Sequence, residues 1–259
     1  MKSTKGFTLV ELVIVIVILG VIVIGVSNFT GYGIQVYTDN TAIERTLAQS
    51  RFSIERMTRD IRSAVPNSIR ISGGGRCLEL IPMSNAGSYI EAPFFPTTAN
   101  SMHVFSSSVP LVGEFVSIGA RSDAELYLSQ AGASARFEVL SVANASADVF
   151  ELEIGSPGAF ISESDRNRYY MFERAITYCV LNNGELMLYQ NYAWQNASTP
   201  SEGALGQGIL MSENIINVDV FAARESSLVG AALVVLQPEF EVLGESFRYN
   251  HQVQVVNAP

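Results

Sequence analysis

Few side chains in this 259-residue sequence are placed to do chemistry, and the first is a carboxylate in apolar surroundings. "MKSTKGFTLVELVIVIVILG" opens on Lys2 and Lys5, passes Gly6 and Phe7, and enters an apolar run interrupted by Glu11. An acidic residue deep in a spanning helix costs about 2.5–3.5 kcal/mol, so Glu11 implies a role and a partner. Cys77 and Cys179 offer a second chemistry: a disulfide, or two separate buried thiols. His103 and His251 lie far apart with no metal-ligand spacing around them, and two cysteines and two histidines are too few for the common zinc frameworks. Nothing supports a dyad of either histidine with serine or cysteine. The sequence therefore predicts no enzyme, no metal and no cofactor. "GGGR" at 73–76 lacks the Lys-Ser/Thr and the following helix of a phosphate loop, and reads as a strand turn. "SESD" at 162–165 could contribute to a calcium site but lacks the EF-hand spacing.

The elements that would position these residues start with a membrane-length helix. Residues 7–26 hold only Thr8 and Glu11 as polar side chains. Twenty helical residues rise about 30 Å, the thickness of a hydrocarbon core. After Lys5 no lysine or arginine occurs until Arg45. The positive-inside rule then leaves residues 1–6 in the cytoplasm and places the rest outside the inner membrane of a bacterium. The run is too long for a secretory signal and no A-x-A site follows it. In the outer compartment a Cys77–Cys179 disulfide is favoured. The formal charge of −9 and the lack of a dense basic cluster argue against a nucleic-acid partner.

Beyond the span, Ile43, Leu47, Ile54, Met57, Ile61 and Val65 recur at helical spacing. The other face carries Glu44, Arg45, Arg51, Glu55, Arg56, Arg59, Asp60 and Arg62. It reads as solvated, with Glu55–Arg59 and Arg56–Asp60 as i,i+4 pairs. Pro66 and Asn67 end the helix. Gly20, Gly25, Gly31 and Gly33 predict a helix that can bend or partly melt near 25–33.

After Pro66 the period becomes that of strands. "SIRIS" and "RCLELI" flank the glycine turn, and "ITYCVLNNGELMLYQNYAW" is a hairpin about Asn182-Asn183-Gly184. Residues 82–102 read as a long loop. Further strands are expected at 103–106, 114–119, 125–129, 136–142, 147–154, 215–221, 232–242 and 248–256. "APFFP" and "NYAW" read as local core. The predicted fold class is α+β: a long N-terminal α-helix, transmembrane in its first half, packed on a C-terminal antiparallel β-sheet head.

"KGFTLVEL", with the apolar helix behind it, resembles the leader of type IV pilins and of the pseudopilins of type II secretion. The resemblance implies cleavage between Gly6 and Phe7 by an inner-membrane prepilin peptidase, which also N-methylates Phe7. It implies that Glu11 meets the new amine of a neighbouring subunit during assembly. Other major and minor pilins would be partners through the N-terminal helix, with the inner membrane as host before assembly. The implied domains are a leader at 1–6, a helix at 7–66 and a head at 67–259. The helix divides into a transmembrane half, 7–27, and an amphipathic half, 34–66. "SRFSIERMTRDIRSAVPNSIRI" and the central hairpin are similar to larger minor pilins and J-type pseudopilins. The closing "VQVVNAP" is similar to the O-type branch of minor pilins from mannose-sensitive haemagglutinin (MSHA) pili. An adhesin head on a pilin stalk is a further possibility.

Overall fold

The computed structural model describes residues 6, 8–128, 132–224 and 233–255. The chain is α+β, and one long helix comes first. Helix α1 (Leu9–Arg62) is unbroken through Gly20, Gly25, Gly31 and Gly33. The chain divides into two units, Met1–Leu47 and Ala48–Pro259, so α1 contributes to both.

In the first unit α1 carries an 18-residue window of mean hydropathy 3.3, none of it buried. Length and composition thus suffice to cross a membrane. In the second unit the apolar stripe turns inward: Ile54, Met57 and Ile61 join the largest core. The helix stops at Arg62, short of Pro66, because the chain is handed to a sheet. The Val65 N–H donates to the Ile81 carbonyl at 2.8 Å, and Ala64 bridges to Pro82. The charged face is not solvated throughout. Asp60 is buried and accepts from the Arg56 Nε at 3.1 Å and the Tyr178 hydroxyl at 2.6 Å. Burial first, and the Asp60 bond second, push the Tyr178 hydroxyl up. Arg56–Asp60 forms as expected; Glu55–Arg59 forms no ion pair among the described residues.

A five-stranded antiparallel sheet receives this half of α1. Strands are numbered along the chain: β1 (Arg70–Ser72), β2 (Cys77–Leu80), β10 (Ile176–Val180), β11 (Leu186–Tyr189) and β12 (Ile209–Ser212) lie in that order. The β1–β2 turn is the glycine run, with Gly73, Gly74 and Gly75 all at positive φ. A Cβ on Gly75 would sit 2.8 Å from the Phe221 carbonyl. The Asn182-Asn183-Gly184 hairpin joins β10 to β11 as expected.

Between β2 and β10 the chain builds a second body. Its strands are β3 (Asn85–Glu91), β4 (Ala99–Phe105), β5 (Phe115–Ser117), β6 (Ala133–Ser134), β7 (Arg136–Ser146), β8 (Val149–Phe160) and β9 (Arg168–Phe172). Six of them pair antiparallel in the order β4-β3-β9-β5-β7-β8, and β8 pairs back to β4. The sheet is therefore a closed barrel, with short β6 added in parallel on β8. Met102, Val104, Val116, Leu152, Tyr169 and Met171 are fully buried and fill it, as expected for so few strands.

This body corrects two expectations. Residues 82–102 are not one loop, because β3 and the start of β4 lie within them. Of the strand expected at 125–129, residue 129 lies outside the described residues and the rest is not a strand: Asp123–Tyr127 form the short helix α2, whose Glu125 carboxylate accepts the Arg121 N–H at 2.8 Å.

The C-terminal part supplies β13 (Phe221–Arg224), β14 (Leu233–Leu236), β15 (Glu239–Val242), β16 (Glu245–Arg248) and β17 (His251–Gln254). The expected strand at 215–221 reduces to one bridge at Ile215 and the start of β13. Here the Asn217 side chain replaces backbone pairing, donating to the Gln237 carbonyl and accepting the Glu239 N–H. The run 232–242 breaks into β14 and β15 at Pro238, which has no N–H to give. The run 248–256 likewise yields β17 after a hairpin, β15–β16, turned on Leu243 and Gly244, both at positive φ.

Candidate functional site

The start of α1 is where the sequence places most of its chemistry. Gly6 is described and exposed; Phe7 and Lys5 lie outside the described residues. Thr8 precedes the first helical residue, and Leu12 donates to its carbonyl at 3.2 Å. The Glu11 N–H donates to the Thr8 hydroxyl at 3.4 Å, and the Thr8 N–H donates to the Glu11 carboxylate at 3.5 Å. This reciprocal pair is a capping box: both side chains satisfy N–H groups that a helix start leaves open. The carboxylate also sits where the helix dipole favours negative charge. Threonine followed three residues later by glutamate is the sequence signal for it. Glu11 is exposed, and among the described residues it meets only Thr8.

The flanking side chains are equally bare. Leu9, Val10, Leu12 and Val13 are each at least 45% exposed. A helix with this composition is not at rest in water; it calls for lipid or for other helices.

Residues 1–27 match the family model of the prokaryotic N-terminal methylation motif. The match supports a type IV pilin-like chain. The motif is compatible with processing by a prepilin peptidase and with association with other pilins. Among curated proteins and among solved structures, none matches the chain. The motif and the membrane-length helix coincide: both contain Glu11, and the helix carries on far beyond residue 27.

The second predicted site is present in full. Cys77 and Cys179 face each other on β2 and β10 and form a disulfide. Beside it, Glu79 is fully buried and takes the Arg70 Nε at 2.7 Å and the Tyr192 hydroxyl at 2.7 Å. The Arg70 guanidinium lies 3.7 Å over the Tyr127 ring. Tyr127 and Trp194 meet edge to face, and the Arg136 guanidinium lies 5.0 Å from Trp194. Burial alone lowers the Arg136 pKa to about 10. These contacts tie the barrel to the five-stranded sheet, and of "NYAW" they bring Tyr192 and Trp194 into the core while Asn191 and Ala193 stay exposed. In "APFFP", Phe94 packs on Tyr89 and Phe160, whereas Phe95 is 70% exposed.

The remaining candidates scatter. His103 sits on β4 with Nδ1 3.8 Å from Glu91, and His251 sits on β17. No group of three or more His, Cys, Asp or Glu is placed to hold a metal among the described residues. The serines of "SESD" are spent on loop bonds, Ser162 to the Gly119 carbonyl and Ser164 to the Arg168 N–H.

A cleft of about 420 Å³ lies where the barrel joins the five-stranded sheet, lined by Ser84, Glu114, Glu173, Arg174 and Asn191 among others. Burial pushes the Glu114 carboxyl up, with a further push from the Glu173 charge, while a bond from Ser84 opposes. The folded chain therefore holds this proton more tightly than the unfolded chain. Stability falls as pH rises from the ordinary carboxylate range through the raised pKa of Glu114. Glu114→Gln is expected to flatten that slope; an unchanged slope in thermal melts across the window would refute the assignment.

Proposed function

We propose that this chain is a structural subunit of the minor-pilin kind, incorporated in or priming a type IV pilus of the MSHA type. The observation that carries this reading is one stretch of chain. The methylation motif leads straight into an exposed, membrane-length helix that holds a lone carboxylate in its first turn. The leader, residues 1–6, stays in the cytoplasm and is cut from Phe7, whose amine is then methylated. Gly6 supports this: among the described residues a Cβ there would meet nothing within 4 Å. The fold makes no demand for glycine at that position, whereas a peptidase that must approach the backbone does. Loss of Lys2 and Lys5 takes the formal side-chain charge from −9 to −11.

The head stands in the periplasm until the helix leaves the membrane for a bundle of like helices. There Glu11 meets the amine of a neighbour. Apolar helix faces slide along one another, and one buried charge pair fixes their register. The barrel inserted between β2 and β10 makes the head bulky, which suits a tip or initiating position better than dense repetition along a shaft. The pilin-like role is structural rather than enzymatic. A J-type pseudopilin of type II secretion has the same leader and helix; neighbouring genes and the presence of the chain in sheared surface filaments separate the two.

The deciding experiment is intact mass and N-terminal sequencing of the chain from its native membrane. A product starting at N-methyl-Phe7 is expected. An uncut chain starting at Met1 would leave a plain signal anchor carrying a β head and would end this reading.

A further inference from the structure

Three aromatic rings follow the apolar span on α1: Phe29 is 80% exposed, and Tyr32 and Tyr37 are each 73% exposed. None enters the cores of the protein, and no ring contact is seen for them among the described residues. At 100° per residue they fall within an arc of about 140°. Val26 and Val36 share that arc. The opposite arc carries Ser27, Gly31, Ile34, Gln35 and Thr38, and the Thr38 hydroxyl bonds back to the Gln35 carbonyl at 2.8 Å. The helix therefore changes character after residue 26, from apolar all round to aromatic on one side and, Ile34 apart, small or polar on the other.

Length says what the aromatic side meets. Taking residue 7 at the inner hydrocarbon boundary, Phe29 lies about 33 Å along the axis and Tyr37 about 45 Å. The hydrocarbon core ends near 30 Å, and the two headgroup layers together add about 10–15 Å, so the outer one reaches to about 35–38 Å. Phe29 and, at about 38 Å, Tyr32 thus fall in the outer interfacial layer, while Tyr37 lies beyond it on the water side. That layer suits a ring with one apolar body and one wet hydroxyl. Basic side chains, the other common anchor, are missing from this part of the chain: no lysine or arginine occurs between Lys5 and Arg45. Asp39, the first charge after Glu11, comes just past the last ring.

We infer that Phe29 and Tyr32 form an aromatic anchor that seats α1 in the outer lipid–water interface before assembly. The inference rests on the membrane-anchored reading given above. The anchor fixes how deep the helix sits, and hence holds Glu11 about 6 Å past the Phe7 end, near the inner boundary. It also gives the helix a step that must be undone when the chain leaves the bilayer.

The test places the full chain in phosphatidylcholine–phosphatidylglycerol vesicles whose acyl chains are brominated at a shallow or a deep position. Phe29→Trp and Tyr32→Trp report depth by fluorescence, and Val17→Trp marks the middle of the span. Trp194, buried in the second unit, supplies a constant background. The expected result is quenching of the Phe29→Trp and Tyr32→Trp signals roughly twofold stronger with shallow than with deep bromines. Val17→Trp should show the reverse order. Quenching of Val17→Trp alone would overturn the anchor while leaving the membrane span intact. Quenching of Tyr32→Trp greatest at deep bromines would overturn it as well. Blue-shifted emission insensitive to both bromines, lost on dilution with lipid, would overturn it in favour of a second copy covering this face. Failure to quench Val17→Trp at any depth would remove the membrane-anchored reading and the inference with it.

Discussion

Glu11→Val is expected to leave cleavage and methylation intact and to lower recovery of the chain in sheared filaments roughly a hundred-fold. The size follows from what is left behind. A charge without a partner inside the hydrocarbon-like helix bundle costs about 2.5–3.5 kcal/mol, and about 1.4 kcal/mol is tenfold. The substitution removes the carboxylate and orphans the amine that it would meet in a neighbour. Loss of the cap to Thr8 adds a smaller penalty of about 1 kcal/mol, borne by the helix start alone. Glu11→Asp keeps the charge on a shorter arm and should fall between the two. Wild-type recovery of Glu11→Val, with N-methyl-Phe7 confirmed by mass, would show that Glu11 serves only its own helix.

Removal of the disulfide is expected to cost the head up to about 4.7 kcal/mol, the chain-entropy figure for a loop of about 100 residues. Cys77 and Cys179 are 102 residues apart, and the whole barrel lies between them. For a body of this size 1 kcal/mol corresponds to about 2–4 °C, so the Cys77→Ala, Cys179→Ala pair should melt roughly 10–20 °C lower. The loss is larger in the unfolded chain than in the folded one: β2 and β10 remain paired by backbone hydrogen bonds, with Leu80 opposite Ile176. Melting curves of oxidised and reduced wild-type chain should differ by the same interval. Coincident curves would mean that the cystine is a passenger within the sheet.

Local signals were legible where one short segment decides its own shape. Asn182-Asn183-Gly184 turns a hairpin because its residues accept the turn, and Gly73-Gly74-Gly75 do the same between β1 and β2. The apolar run and Glu11 needed no tertiary context either. The barrel was illegible for the opposite reason. Its closure depends on β4 meeting β8, about 50 residues later, and β3 is written in residues that favour loops. "NAGSYIE" is a strand because the wall is tight there: a Cβ at Gly87 would stand 2.3 Å from the Phe105 carbonyl and 2.8 Å from the Tyr169 ring. Asp60 shows a middle case. It lies three residues past Met57 and one before Ile61, so helical geometry puts it on the inward arc. Its charge hid that position, and only Tyr178 on a strand far along the chain explains how it is satisfied.

The barrel leaves the five-stranded sheet after Leu80 and returns to it at Ile176, and these two residues are register partners on adjacent strands. Its entrance and exit are therefore side by side, in the geometry of a socket. The Cys77–Cys179 bond clasps that socket three residue pairs below the opening. A plug of different shape could be exchanged there without altering a hydrogen bond of the sheet beneath, provided it re-covers Trp194 and the Arg70 guanidinium that Tyr127 now covers. The stalk and the sheet can thus stay constant while the displayed module diversifies, and grafting a foreign domain between residues 82 and 174 is the route by which this chain could be made to carry new cargo.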